Sequence, residues 1–169
     1  EGSARDALPF MRVFLAAQPQ SFASPAAAVA YALRAKLVRN PKSARRSVPD
    51  QLAAAEGQWL WRVDLRRTER HWAEWFEGLN ADFLTCPQPK ILVLAQADRM
   101  DKELTIAQMQ GRFKLVVLPA QVGHLLHEDD PRATAAELLR FLRQFRVPLG
   151  AQQSAELARV GCAAFRNGL

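Results

Sequence analysis

Along this chain the apolar positions keep different rhythms, and each rhythm predicts a kind of element. Between residues 4 and 17, Leu8, Met11, Phe14 and Leu15 recur at helical spacing, which predicts an amphipathic helix. Ser3 and Asp6 have the spacing of a capping box, Pro9 falls in the first turn, and Pro19 ends the segment. Ser24-Pro25 reads as a cap followed by a first-turn proline, with Ala26, Val29, Ala30, Leu33 and Leu37 along one face of a second helix. Asn40-Pro41 opens a third helical segment, richer in Arg, which Pro49 should shorten or kink. Few large apolar residues occur in these helices, so they are expected to lie as a cap over another core rather than to form their own.

Gly57 breaks the helical pattern, and Trp59, Trp61 and Val63 then alternate with polar residues as in a short strand. From Leu65 the helical period returns, with Trp72, Trp75, Phe76 and Leu79 at i, i+3, i+4 and i+7. Four tryptophans this close together predict a packed aromatic face, or, on a sharper reading, the wall of a groove. The segment from Asn80 to Pro89 reads as a connector, because its two prolines stop any element from running through it.

The centre of the chain lies between Pro89 and Pro131. Two short apolar runs, Ile91 to Ala95 and Leu115 to Leu118, flank a helical segment and read as buried parallel strands of an α/β sheet. Asp98 and Asp101 follow the first run, and Gly123-His124 follows the second. Asp130-Pro131 then caps a last helix, with Ala135, Leu138, Leu139, Leu142 and Phe145 marking its packed face. Pro148 and Gly150 close the recognisable pattern, and residues 151–169 are expected to form one more helix or a loose tail.

The chain has 169 residues, 49% of them hydrophobic and 24% charged, which suits one globular unit. No apolar run approaches the roughly 18 residues that a bilayer span needs, so no membrane insertion is expected. The net charge of +6 is concentrated from Arg34 to Arg70, a basic field suited to an acidic partner segment or simply to solvated helix faces. No recognised motif for nucleic acid accompanies it, and a nucleic-acid partner is not expected. Cys86 and Cys162 match no zinc or redox spacing and read as ordinary thiols in a reducing compartment.

An Asp after one strand and a His after the next is the order in which α/β-hydrolases complete a Ser, acid, His triad. His124 therefore stands as a candidate catalytic base, after a Gly that permits a tight turn, and Asp98 as a candidate acid. Asp98 and Asp101 serve equally well as loop-ordering or helix-capping carboxylates. His71 reads as structural on an exposed helix face. His127, with Glu128 and Asp129, lacks the spacing of a metal site, and neither a metal nor another cofactor is expected. No G-x-S-x-G elbow surrounds any serine, and the scattered glycines form no phosphate-binding loop.

Three blocks carry a family resemblance: ADRMDKELTIAQMQGRF, VLPAQVGHLLHED and the WF-x-GL segment. With weaker similarity back to EGSARDAL and NPKSARRS, residues 1–147 resemble the C-terminal half of the protein phosphatase methylesterases, α/β-hydrolases that demethylate the C-terminal leucine of the protein phosphatase 2A catalytic subunit. The resemblance implies the C-terminal part of an α/β-hydrolase fold: a helical cap over residues 1–80, then the last two parallel strands, the His loop and the C-terminal helix over 81–147. Residues 148–169 depart from the family. Glu1-Gly2-Ser3-Ala4 matches the E-G-[ST]-A motif that follows the family's acid-bearing strand. The nucleophilic Ser and the triad acid are thus both expected upstream of Glu1, in keeping with an N-terminus that reads as a cut edge.

Of the triad, the resemblance carries only His124 onto this sequence, and it makes Asp98 a loop residue. It implies the methylated tail of the phosphatase catalytic subunit as partner, received by the cap and its basic patches, with Met109 and Arg143 as candidate contacts. It also implies residence in the cytoplasm, the nucleus or both, and no activity for this chain alone. Alternatives are a non-catalytic phosphatase-binding module and a different α/β-hydrolase with Asp98 as its acid.

Overall fold

The computed structural model describes residues 2–95 and 100–147. The tail from 148 onward and the loop position of Asp98 lie outside the described residues. The first helical segment forms as two pieces, α1 (Gly2–Asp6) and α2 (Leu8–Ala16). In one continuous helix the Pro9 ring would collide with the preceding turn, whereas a break at Ala7 makes it a first-turn residue. Helix α1 already includes Ser3, so the expected capping box does not mark its start. Leu15 is buried and Leu8 and Met11 half-buried, whereas Phe14 faces solvent with Phe10 and Val13.

After β1 (Ser21–Phe22), helix α3 (Pro25–Arg34) begins where expected, with the Ser24 hydroxyl accepting from the Ala27 amide at 3.2 Å. Asn40 caps α4 (Pro41–Ser47) in the same way, its Oδ1 accepting from the Lys42 amide at 2.9 Å. Pro49 ends that helix in a single 3-10 turn, Pro49–Gln51. Of the expected face of α3, Val29 and Leu33, with Leu37 beyond the helix, pack partly against the core, whereas Ala26 and Ala30 are exposed and the fully buried positions are Ala28 and Ala32. Ala28, Ala32 and Ala44 of α4 are almost fully enclosed, and their small side chains let the two helices approach closely. With Phe22, Val38, Val48 and Leu52 they form a hydrophobic cluster. The segment expected as a cap, called the cap below for its place in the sequence, therefore has a core of its own, contrary to the expectation from its few large residues.

Strand β3 (Gln58–Trp61) lies where the alternation placed it, but between two partners, in the antiparallel order β1-β3-β2 with β2 (Leu52–Ala55). Ala55 pairs with Gln58 across a two-residue turn. Glu56 and Gly57 both have left-handed φ, at 50° and 77°, the turn form that matches strand twist and that glycine adopts without strain. Trp61 rests edge-on against Phe22 with ring centroids 5.2 Å apart, and its Nε1 donates to the Pro19 carbonyl.

The single helix expected from Leu65 is instead three elements: a 3-10 segment Leu65–His71, α5 (Trp72–Trp75) and α6 (Leu79–Thr85). Gly78 separates the last two with a left-handed φ of 76°. Trp72 is buried, Trp59 and Trp61 pack partly against the cap core, and Trp75 is half exposed. Residues 80–85, expected as connector, are thus helical, and Asn80 is buried. An Arg12–Glu69 ion pair ties α2 to the 3-10 segment.

The second half has the expected parallel arrangement, but its two strands, expected to be buried, are only half-buried, with Val117 exposed. Strand β4 (Ile91–Leu94) is joined through α7 (Lys102–Met109) to β5 (Lys114–Val117), and the strands pair in parallel from Ile91↔Lys114 to Leu94↔Val117. Leu92 and Leu115 of the strand pair pack against Leu84 of α6, Ala107 of α7 and Phe113 just before β5, with Phe83 edge-on to Phe113 at 5.2 Å. A short helix α8 (Leu126–Asp129) leads into α9 (Pro131–Gln144), whose N-cap Asp130 accepts from the Ala133 amide at 2.9 Å. The buried residues of α9 are Leu139 and Phe141, with Ala135 and Leu142 half-buried, while Leu138 and Phe145 are 43% and 41% exposed.

Candidate active site

The carboxyl ends of parallel strands are where an α/β sheet presents its chemistry, because the loops there leave the sheet freely. Here β5 runs out through Leu118 into a turn closed by the Val122 amide on the Pro119 carbonyl at 2.9 Å. Val122 is buried, and Gly123, His124 and Leu125 follow before α8. The His124 side chain is exposed between two fixed neighbours. Leu125 packs into the hydrophobic cluster of the cap. Gly123 is buried, and its amide donates to Asp129 Oδ2 at 2.7 Å.

The glycine at 123 answers to a different need from the expected tight turn. A Cβ there would meet Arg39 Nε and Asp129 Oδ2, each at 2.7 Å, so the position is held small by close approach of the cap. Arg39 follows α3. Its backbone amide donates to Asp129 Oδ1 at 2.6 Å, and its Nη1 donates to the carbonyls of Ala120, Gln121 and Val122 at 3.3, 3.1 and 3.4 Å. Asn40 Nδ2 reaches the Asp129 carbonyl at 3.4 Å. From α4 the Ser47 hydroxyl donates to Glu128 Oε2 at 2.6 Å. Six hydrogen bonds thus fasten the loop around His124 to the segment that leads into α4 and to α4 itself. Arg39 and Asp129 are 90 residues apart in sequence, and no local spacing marks the pair.

Chemically, an exposed imidazole on a loop held from both flanks suits proton transfer, which requires a base within reach of its partner and little freedom to leave it. His71 lies apart, on the exposed side of the cap, where its Nε2 accepts from Arg70 Nε at 2.9 Å. His127 is exposed on α8. Among the described residues no group of three or more His, Cys, Asp or Glu side chains could hold a metal ion. No helix there is long and apolar enough to cross a membrane.

Asp101 takes the N-cap position of α7, yet its side chain caps no amide of that helix and accepts instead from the buried Asn80 Nδ2 at 3.1 Å. The start of α7 is thereby tied to α6. Met109 ends α7 and is 79% exposed, and Arg143 is exposed in the last turn of α9. Both helices run back from the His124 end of the sheet. The end of α9 and the turn that follows α7 line a crevice with Pro89, Lys90, Gly111, Phe113, Gln144 and Phe145, where the strands begin. Met109 and Arg143 therefore sit towards the end of the sheet remote from His124.

The profile of the Alpha/beta hydrolase family matches residues 2–137. A probable protein phosphatase methylesterase 1 of Caenorhabditis elegans is 47% identical over 148 residues, covering 87% of this chain and 40% of the worm protein. Protein phosphatase methylesterase 1 of Schizosaccharomyces pombe is 42% identical over 142 residues, 83% of this chain and 41% of the yeast protein. The Homo sapiens protein of that name is 35% identical, with 90% of this chain and 51% of the human protein aligned. The chain spans about two fifths to one half of the length of these relatives. With its parallel strand pair, crossover helix and matched profile, the chain belongs to the alpha/beta hydrolase family and is a homologue of the proteins named protein phosphatase methylesterase 1.

Proposed function

We propose that the protein carrying this chain is a serine-type carboxylesterase that removes the methyl ester from the C-terminal leucine of the protein phosphatase 2A catalytic subunit, with His124 as its general base. The observation that carries the reading is the exposed His124 on the loop after β5, inside the segment matched by the hydrolase family. The names of the relatives supply the substrate class.

In this reaction His124 takes the proton of a serine hydroxyl as the oxygen attacks the ester carbonyl. The tetrahedral intermediate collapses, and His124 returns the proton to the departing methoxide, so methanol leaves. A water molecule then gives its proton to His124 and attacks the acyl-enzyme, releasing the carboxylate and restoring the serine. The serine and its supporting acid come from sequence upstream of Glu1, as do the backbone donors to the oxyanion. Met109 and Arg143, remote from His124, meet the body of the partner protein rather than the reacting ester.

The test is methanol release from methyl-esterified phosphatase catalytic subunit. The full-length protein should turn over, and residues 1–169 alone should not. Steady turnover by the 169-residue chain, or none by the full-length protein, would overturn the proposal.

A further inference from the structure

The grip on the His124 loop comes from the cap, and its parts are chemically unequal. Asp129 is the hub: one oxygen accepts from the Gly123 amide at 2.7 Å and the other from the Arg39 amide at 2.6 Å. A single carboxylate thus joins the residue before His124 to the residue that leads into α4. The Arg39 guanidinium, lying over Gly123, binds the three carbonyls that precede it. On the other flank Leu125 is fixed in the cap cluster. The imidazole is therefore aimed by a frame whose far side belongs to another part of the fold.

We propose that Arg39 and Asp129 are positioning residues for catalysis: they aim His124 by clasping its loop to the cap, and contact neither substrate nor proton themselves. The proposal rests on the reading of His124 as general base. Proton transfer is steep in distance, and a displacement of about 1 Å can cost on the order of 100-fold in rate. Substrate binding is far less sensitive to the same displacement, so the clasp acts on kcat.

The experiment uses the full-length enzyme and measures kcat and KM separately for Arg39→Ala, Arg39→Lys, Asp129→Asn and the Arg39→Ala/Asp129→Asn double variant, with circular dichroism to give the folded fraction. Asp129→Asn keeps one acceptor oxygen and can serve only one of the two amides. Expected are falls in kcat per folded molecule of about 10–100-fold in Arg39→Ala and Asp129→Asn, with KM changed less than about 3-fold. Arg39→Lys, which keeps a charged donor, should recover part of the loss. The double variant should lose less than the product of the single losses, because both changes loosen one loop.

Values of kcat within about 2-fold of the parent for folded Arg39→Ala and Asp129→Asn would overturn the proposal, as would losses expressed wholly in KM. Should Arg39→Ala fail to fold, Arg39→Lys and Asp129→Asn decide alone. His124→Ala is measured alongside: normal turnover there removes the reading of the base itself, whereas its loss beside normal clasp variants removes only the clasp.

Discussion

Replacing Gly123 with Ala puts the contact between the His loop and the cap to a test of sign. The added methyl would stand 2.7 Å from Arg39 Nε, 2.7 Å from Asp129 Oδ2 and 3.2 Å from Arg39 Cδ. Ordinary separation for such atoms begins at about 3.5 Å, so the nitrogen and the oxygen must each retreat by roughly 0.8 Å and the carbon by roughly 0.3 Å. The Arg39 side chain can shift only by loosening its hydrogen bonds to the carbonyls of Ala120, Gln121 and Val122. For Asp129, the oxygen that must retreat is the one accepting from the Gly123 amide. Drawing it back stretches that bond from 2.7 Å to roughly 3.5 Å, where little of it survives. Hydrogen bonds to a charged group are worth about 1.5–3 kcal/mol.

Against this, Gly→Ala at a backbone conformation open to any residue stabilises by about 0.4–1 kcal/mol through the unfolded chain. The net expectation is a loss of about 1–2 kcal/mol, read as a fall in the urea midpoint of the full-length protein at unchanged slope. If the cap does not press on this position, only the entropic term remains and the variant gains stability. A midpoint equal to or above the parent's would therefore refute the contact.

Other consequences follow from single residues. Asp130→Ala removes the side-chain cap of α9 and should cost about 0.5–2 kcal/mol in urea unfolding, whereas Asp130→Asn, which can still accept from the Ala133 amide, should cost much less. Ala32→Leu forces a large side chain between α3 and α4, where Ala32 is 1% exposed, and should lower stability by about 1–3 kcal/mol in the same assay. The Asp64 carboxyl is held below its ordinary pKa, first by its hydrogen bond from the Arg66 guanidinium, then by the Arg66 amide and the charges of Arg66 and Arg67. A depressed acid contributes stability above its unfolded pKa and loses it as pH falls through the folded value, so this contribution should vanish at acid pH and weaken in high salt. Titration by NMR should show the Asp64 pKa rising in Arg66→Ala, and an unchanged value would contradict the pairing.

The parts of the fold that sequence made legible are those decided locally. Strands β4 and β5 are short apolar runs between turn residues, and the caps Ser24, Asn40 and Asp130 act on amides two or three positions away. What was illegible depended on partners. Leu52–Ala55 has almost no strand propensity and becomes β2 only because β3 returns beside it through Glu56 and Gly57. In α3 alanines occur on every side, so periodicity could not say which of them α4 would cover. The aromatic helix from Leu65 had the right spacing but broke at Gly78. At the site, the position of His124 could be read from strand order. The grip of Arg39 and Asp129 could not, because it joins residues 90 apart through one carboxylate.

The most direct test of the account is the turnover number of full-length His124→Ala on methyl-esterified phosphatase catalytic subunit at saturating substrate. If His124 is the base in both half-reactions, as proposed, solvent cannot replace it, and kcat should fall by about 1,000-fold or more with the fold intact. A kcat within about 10-fold of the parent would contradict the account.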